Sequence, residues 1–241
     1  MQEKSANNDA ILFFFAIMIK SNYEKRNFTY RHIIWDWNGT LLNDRWLCIE
    51  SISTLLLNRN LPPLDEEKYA RIFRFPVKDY YQDAGFDFST EPFEVPALEF
   101  ISIYDNRKKE CRLQQGALNA LELFAGMGCT QHLLSASETG VLHEMTMHHG
   151  ISHFFENIKG LDNHYANGKG DLGLELLSSI NADPGCILMI GDTCHDKEVA
   201  DLLGVDSILC TNGHFPEDRL TSCGTRLIEN LDELTSSISG I

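Results

Sequence analysis

The sequence is poor in positive charge and lacks any closely spaced cysteine pair, any internal repeat and any apolar run long enough to cross a bilayer. Its 20 Lys and Arg stand against 35 Asp and Glu, a formal charge of −15. Such a field repels a phosphate backbone, so nucleic acid is excluded as a partner. An anionic substrate then needs a local positive site from a metal ion, a lysine or a helix N-terminus. The seven cysteines (Cys48, Cys111, Cys129, Cys186, Cys194, Cys210 and Cys223) are odd in number and scattered. Without a Cys-x-x-Cys unit they point to neither zinc nor redox chemistry, and all seven read as free thiols in a reducing cytoplasm. The longest apolar run, Ala10 to Ile19, is too short for a membrane span. Glu3 and Asp9 precede it and no small-x-small cleavage site follows, so it is a poor signal peptide. Met18, just ahead of the polar stretch Lys20 to Arg26, reads as the true start, which leaves residues 1 to 17 as an artefact of start-site choice.

What remains is the composition of a globular protein, 43% hydrophobic and 23% charged. Arg31-His32-Ile33-Ile34-Trp35-Asp36 reads as a short apolar strand that ends on an acid, and Asn38-Gly39-Thr40 breaks it as a turn. Cys129 to Leu134 runs in the same way into Ser135, and Cys186 to Ile190 into Gly191-Asp192. Helical patterns follow the last two, over Glu138 to His149 and Asp196 to Leu203. Alternating strand and helix predicts an α/β fold with a doubly wound parallel sheet. Such sheets bind ligands outside the carboxyl ends of their strands, so Asp36, Ser135 and Asp192 are expected to form one site. Between the first two units, Trp46 to Asn58 and Ala97 to Lys109 have helical character, with breaks at Leu61-Pro62-Pro63-Leu64 and Gly85. Phe73, Phe75, Tyr80, Tyr81, Phe86 and Phe88 read as the core of a small inserted helical domain rather than as a substrate box.

These residues, from about Phe28 onward, resemble the haloacid dehalogenase superfamily. Asp36-Trp37-Asn38-Gly39-Thr40-Leu41 resembles its first motif, and Ser135 in Leu133-Leu134-Ser135-Ala136-Ser137 the second. Lys169, ahead of the helical run Asp171 to Ser179, is similar to the third, and Gly191-Asp192-Thr193-Cys194-His195-Asp196 to the fourth. The insertion point resembles that of the helical-cap group that includes phosphoglycolate phosphatase and β-phosphoglucomutase. The resemblance implies a Rossmann-like core over 28–44 and 113–241, a helical cap over 45–112 that closes on the substrate, and an N-terminal extension over 1–27.

It also implies a chemistry: a phosphatase acting on a small phosphorylated metabolite, soluble and cytoplasmic, as a monomer or homodimer without a membrane or nucleic-acid partner. Asp36 would attack phosphorus and form an aspartyl-phosphate. Magnesium would be held by Asp36, Asp192, the backbone carbonyl of Asn38 and Asp196, the last either as ligand or behind the ligands. Ser135, Ala136, Thr40 and Lys169 would grip the phosphoryl oxygens, and Lys169 would also keep Asp36 ionised.

Asn38 departs from the pattern, because phosphatases of this family carry there an aspartic acid that protonates the leaving oxygen. A carboxamide cannot do so, and losing such a group costs about 10²–10⁴ in rate. Three readings stay open. One is a slow phosphatase, or one with another acid such as His164 or His195. Another is a phosphonate- or halo-acid-cleaving enzyme, the former needing a Schiff-base lysine such as Lys68 or Lys78. The third is a silent module that binds metal and phosphate. Arg71, Arg74 and Lys78 are candidates for meeting an anionic tail of the substrate.

Overall fold

The computed structural model describes residues 29–161 and 168–237. The apolar run at Ala10, the start at Met18 and His164 all lie outside them. Six parallel strands form one sheet in the order β5-β4-β1-β6-β7-β8. They are β1 (His32–Trp35), β4 (Thr130–Glu138), β5 (Phe155–Leu161), β6 (Ile187–Gly191), β7 (Asp206–Cys210) and β8 (Arg226–Ile228). β1 pairs with β4 on one side and β6 on the other. The chain therefore winds outward from β1 in one direction and returns to wind in the other, which makes the carboxyl ends of β1 and β6 the switch point of the sheet.

A parallel sheet covered on both faces needs apolar side chains at successive positions, which explains the unbroken Ile-Ile-Trp and Ile-Leu-Met-Ile runs. Successive residues divide between two cores. Ile33, Trp35, Leu133, Leu188 and Ile190 meet Phe124 of α5 (Ala117–Gly126) and Leu142 of α6 (Thr139–His148). Ile34, Leu134 and Met189 meet Leu176 of α7 (Lys169–Ile180) and Val199 and Leu203 of α8 (Cys194–Leu203).

Four helices lie between β1 and α5: α1 (Arg45–Asn58), α2 (Glu66–Ile72), α3 (Val77–Ala84) and α4 (Glu94–Arg107). They close on a separate core of Ile52, Leu55, Leu56, Tyr69, Tyr80, Tyr81 and Phe86, whose rings meet mostly edge to face. Of the aromatic residues singled out in this segment, Phe75 is exposed and Phe73 half-buried. An antiparallel pair not expected from sequence, β2 (Leu42–Asn43) with β3 (Arg112–Leu113), ties together the two crossings between this unit and the sheet. Two-residue strands carry no readable periodicity, so only pairing across distant sequence reveals them. A short α9 (Glu217–Thr221) and α10 (Asp232–Ser237) flank β8.

One expectation is corrected. The cysteines are not all free: Cys194 and Cys223 form a disulfide, with Cα atoms 5.8 Å apart. The first turn of α8 and the turn after α9 meet there across 29 residues of sequence, a pairing that a search for Cys-x-x-Cys units cannot see. The other five are free. No helix among the described residues is long and apolar enough to cross a membrane.

Candidate active site

The strand ends bring together the acids that the motifs suggested. Asp36 follows β1, its amide donating to the Ile190 carbonyl at 2.9 Å. Asp192 follows β6, and Asp196 stands in the first turn of α8. Each of the three offers a carboxylate oxygen within 4.8 Å of the others, and all three are buried. Lys169, the first residue of α7 and 4% exposed, bridges Asp36 and Asp196. Burial works against its ammonium, but the carboxylates of Asp196 and Asp36 outweigh that and raise its pKa. Asp36 and Lys169 thus meet across 133 residues of sequence.

Burial also raises the two strand-end acids. Asp36 is pushed up to about 6, with Lys169 opposing the shift and Asp196 adding to it. Asp192 is pushed up to about 8, with His214 opposing and Asp36 adding. Asp196 goes the other way: burial would raise it, but Lys169 and its hydrogen bonds to Thr193 hold it low. Its Oδ2 accepts from the Thr193 amide and hydroxyl at 2.9 and 2.7 Å, in a reciprocal cap of α8, and from the Asp192 amide at 3.2 Å. Asp196 therefore shapes the loop with Oδ2 and anchors Lys169 with Oδ1.

Local backbone shape makes this convergence possible. Gly39 adopts φ +75° in the turn after Asp36, and a β-carbon there would sit 2.2 Å from Asp192 Oδ2. A β-carbon on Gly213 would meet the same oxygen at 2.2 Å. Asp192 is thus clasped between two glycine backbones, which no larger residue permits.

The other motif residues fall into different places. The Thr40 hydroxyl lies 3.1 Å from Asp36 Oδ2 and 3.0 Å from Asp192 Oδ1, so it bridges the two carboxylates. Ser135 is buried near the end of β4, where its hydroxyl accepts from the Ser137 amide at 3.1 Å, and Ala136 beside it is exposed. Asn38 is held on three sides. Its Nδ2 donates to Asp44 at 2.7 Å and to the Tyr104 hydroxyl at 3.0 Å, and its Oδ1 accepts from Ser137 at 2.7 Å.

His195 lies on the outer side of α8, against the Phe75 ring and 3.1 Å from Glu198, away from the acid cluster. Lys78 is exposed over the Phe88 ring, Lys68 and Arg71 stand on α2, and Arg74 pairs with Asp83.

Two participants have no signal in the motifs. His214 is buried, and its amide donates to Asp192 Oδ2 at 2.6 Å. Its ring pairs with Asp44 at 3.3 Å and with the Tyr69 hydroxyl at 2.8 Å. Burial opposes its charge, but Asp44 outweighs that and lifts it to about 9. Asp44, wholly buried before α1, also takes hydrogen bonds from the Gly39 amide and the Tyr104 hydroxyl. Burial would raise it, but His214 and the hydrogen bonds from Asn38 and Tyr104 hold it low. The Asn-Gly-His turn at 212–214 was the available clue, since a glycine pair around one carboxylate implies close backbone approach.

The donor set suits a hard divalent cation. Three buried carboxylates crowd together with a single lysine among them, and two are forced above the usual carboxylate range, as expected of oxygen ligands short of positive charge. A neighbouring group of Asp44, Cys48 and His214 is satisfied internally by the ion pair and by the Cys48 thiol, 3.6 Å from Asp44.

The family model of haloacid dehalogenase-like hydrolases matches residues 33–210. A protein of Dickeya dadantii named "Probable phosphatase IndB" is 22% identical over 205 residues, spanning 81% of this chain and 87% of its own. Among solved structures, a haloacid dehalogenase-like hydrolase from Streptococcus pneumoniae superposes with a TM-score of 0.76 at 19% identity, covering 87% of this chain and 98% of that one. One from Haemophilus somnus, described as a "predicted phosphoglycolate phosphatase", gives 0.72 at 19% identity over the same shares. With its strand-end acids in place and more than half its length matched by one family, the chain belongs to the haloacid dehalogenase-like hydrolases.

Proposed function

We propose that the protein is a magnesium-dependent phosphatase for a small phosphorylated metabolite, acting through an aspartyl-phosphate on Asp36. The observation that carries this reading is the buried Asp36–Lys169–Asp196 chain with Asp192 beside it, since a lysine pressed on Asp36 keeps it an anion. Asp36, Asp192 and the Asn38 carbonyl would hold the magnesium, with Asp196 behind them. Bound there, the ion would offset the repulsion between carboxylates and phosphoryl group and polarise the phosphoryl oxygens.

A carboxylate oxygen of Asp36 forms the bond to phosphorus as the ester oxygen departs with its electron pair. Water then attacks the same phosphorus, releases inorganic phosphate and restores the Asp36 carboxylate. Lys169 and the Ser135 hydroxyl stabilise the charge that gathers on the phosphoryl oxygens. Thr40 aligns Asp36 with Asp192 rather than reaching the phosphate. The departing oxygen receives no proton from Asn38, which favours substrates whose leaving group tolerates negative charge and makes the second step slow. The four-helix unit serves as a cap, joined to the site through Tyr104 and Tyr69.

A panel of phosphorylated metabolites, assayed with magnesium and with chelator, tests the reading. Magnesium-dependent phosphate release is expected, with a covalent phosphate seen by intact mass in wild type and absent in Asp36→Asn. Turnover that survives in Asp36→Asn would exclude the nucleophile.

A further inference from the structure

A cavity of about 300 Å³ opens where the helical unit meets the sheet unit, beside the first turn of α8. Arg74 and Phe75 reach it from the turn between α2 and α3, and His195, Phe215 and Arg219 from the sheet unit. Arg219 is set in place before any ligand arrives. Its guanidinium lies 3.7 Å from the centre of the Phe215 ring, and its Nη1 donates to the carbonyls of Ala70 and Phe73 at 3.1 and 2.6 Å. The remaining donors of that fork have no carboxylate partner among the described residues. Burial depresses its pKa, the neighbouring Asp218 carboxylate opposes that and the Arg74 guanidinium adds to it, so two like charges still line one cavity in a protein of formal charge −15.

The acids near the pair are each engaged already, and Asp218 accepts from the Arg219 amide at 3.0 Å. Glu198 lines the cavity but is engaged by His195 at 3.1 Å, and Asp83 takes one nitrogen of Arg74 at 2.9 Å. Phe75 remains 41% exposed although it lies against the His195 ring at 5.1 Å. A guanidinium fork presents paired donors to a carboxylate, and exposed ring faces favour a flat apolar body. A volume at the low end for ligand pockets suits a molecule of one ring.

We propose that this cavity is a binding site for a small aromatic carboxylate, clamped between Arg74 of the helical unit and Arg219 of the sheet unit. It is separate from the acid cluster, though the two are in mechanical contact: the Phe73 ring touches Phe215 on the cavity wall and His214 beside Asp192. A bound carboxylate neutralises the arginine pair and ties the two units together. The proposal does not rest on the catalytic reading, because it is tested by binding alone.

The probe is benzoate, titrated into the full chain by calorimetry, with benzamide and acetate as the uncharged and ringless controls. Saturable one-to-one benzoate binding is expected, with both controls weaker. It should weaken by about tenfold or more in Arg74→Ala, the loss of one charged hydrogen-bonding partner, and persist in Asp36→Asn. Arg219→Gln should behave like Arg74→Ala. If loss of the Ala70 and Phe73 bonds unfolds it, the exposed Arg74 position decides alone. Absence of saturation at millimolar benzoate, equal affinity in Arg74→Ala, or loss of binding in Asp36→Asn would each overturn the proposal. Phenylphosphonate binding tenfold tighter than benzoate would overturn the choice of carboxylate.

Discussion

Replacing Asn38 by Asp puts a carboxyl group 2.7 Å from the buried carboxylate of Asp44. Two full charges at that separation repel by about 6 kcal/mol at an effective dielectric of ~20. Asp44 is already held low by His214 and its other donors, so the introduced carboxyl is the one that keeps a proton at neutral pH. The pair then shares one proton, which is the state a general acid requires. Protonated, the new group still donates to Asp44, so stability near pH 6 should stay close to wild type. Above the pair's upper pKa that hydrogen bond is lost, and roughly 1.5–3 kcal/mol of stability should go with it. Catalysis has the same sign: the gain is present below that pKa and vanishes as pH rises through it. The assay compares kcat/KM with magnesium for an alkyl phosphate, whose leaving oxygen needs a proton, and for p-nitrophenyl phosphate, whose leaving oxygen does not. The alkyl ester should gain up to about 10²–10⁴ and the aryl ester far less. No gain on the alkyl ester, an equal gain on both, or a gain that ignores pH would refute the reasoning.

Three further outcomes are expected. Magnesium should raise Tm and chelator should abolish turnover, because burial pushes Asp36 and Asp192 up to about 6 and 8 even with Lys169 and His214 beside them, which leaves the carboxylates short of positive charge; a chelator-resistant rate would remove the metal from the scheme. Gly39→Ala should cost about 2–4 kcal/mol, from its positive φ and the contact with Asp192, and should remove the magnesium-dependent rise in Tm; a variant with wild-type Tm and metal response would show that the turn yields. His132 is buried, and burial followed by His32 lowers its pKa to about 4. The unfolded chain takes up a proton that the folded one refuses, so this contribution is complete above pH 6.5 and fades toward pH 4. It amounts to about 3 kcal/mol at most, and His132→Gln should flatten the Tm profile across that window.

The apolar runs ending in Asp36 and Asp192 were legible because a parallel sheet buried on both faces demands continuous Ile, Leu and Met, and the catalytic ends of its strands interrupt that demand with acids. Lys169 was legible only through the resemblance, since in isolation it is a lysine after a glycine. β5, β7 and β8 were not read: polar residues interrupt β5 and begin β7, and β8 has only three residues, so none shows the unbroken apolar run of β1 and β6. The sequence by itself thus determined the fold class and the identity of the acids. It could not determine that His214 joins Asp192 to Asp44, that Asp44 underlies both Asn38 and His214, that Thr40 bridges two carboxylates, or that Cys194 meets Cys223. Each of these is a pairing between residues remote along the chain, or a choice among hydrogen-bond partners, and local periodicity carries neither. The packing of the helical unit on the sheet, which brings Tyr69 and Tyr104 against the strand ends, decided the surroundings of His214 and Asp44, and the meeting of distant segments within the sheet unit decided the rest.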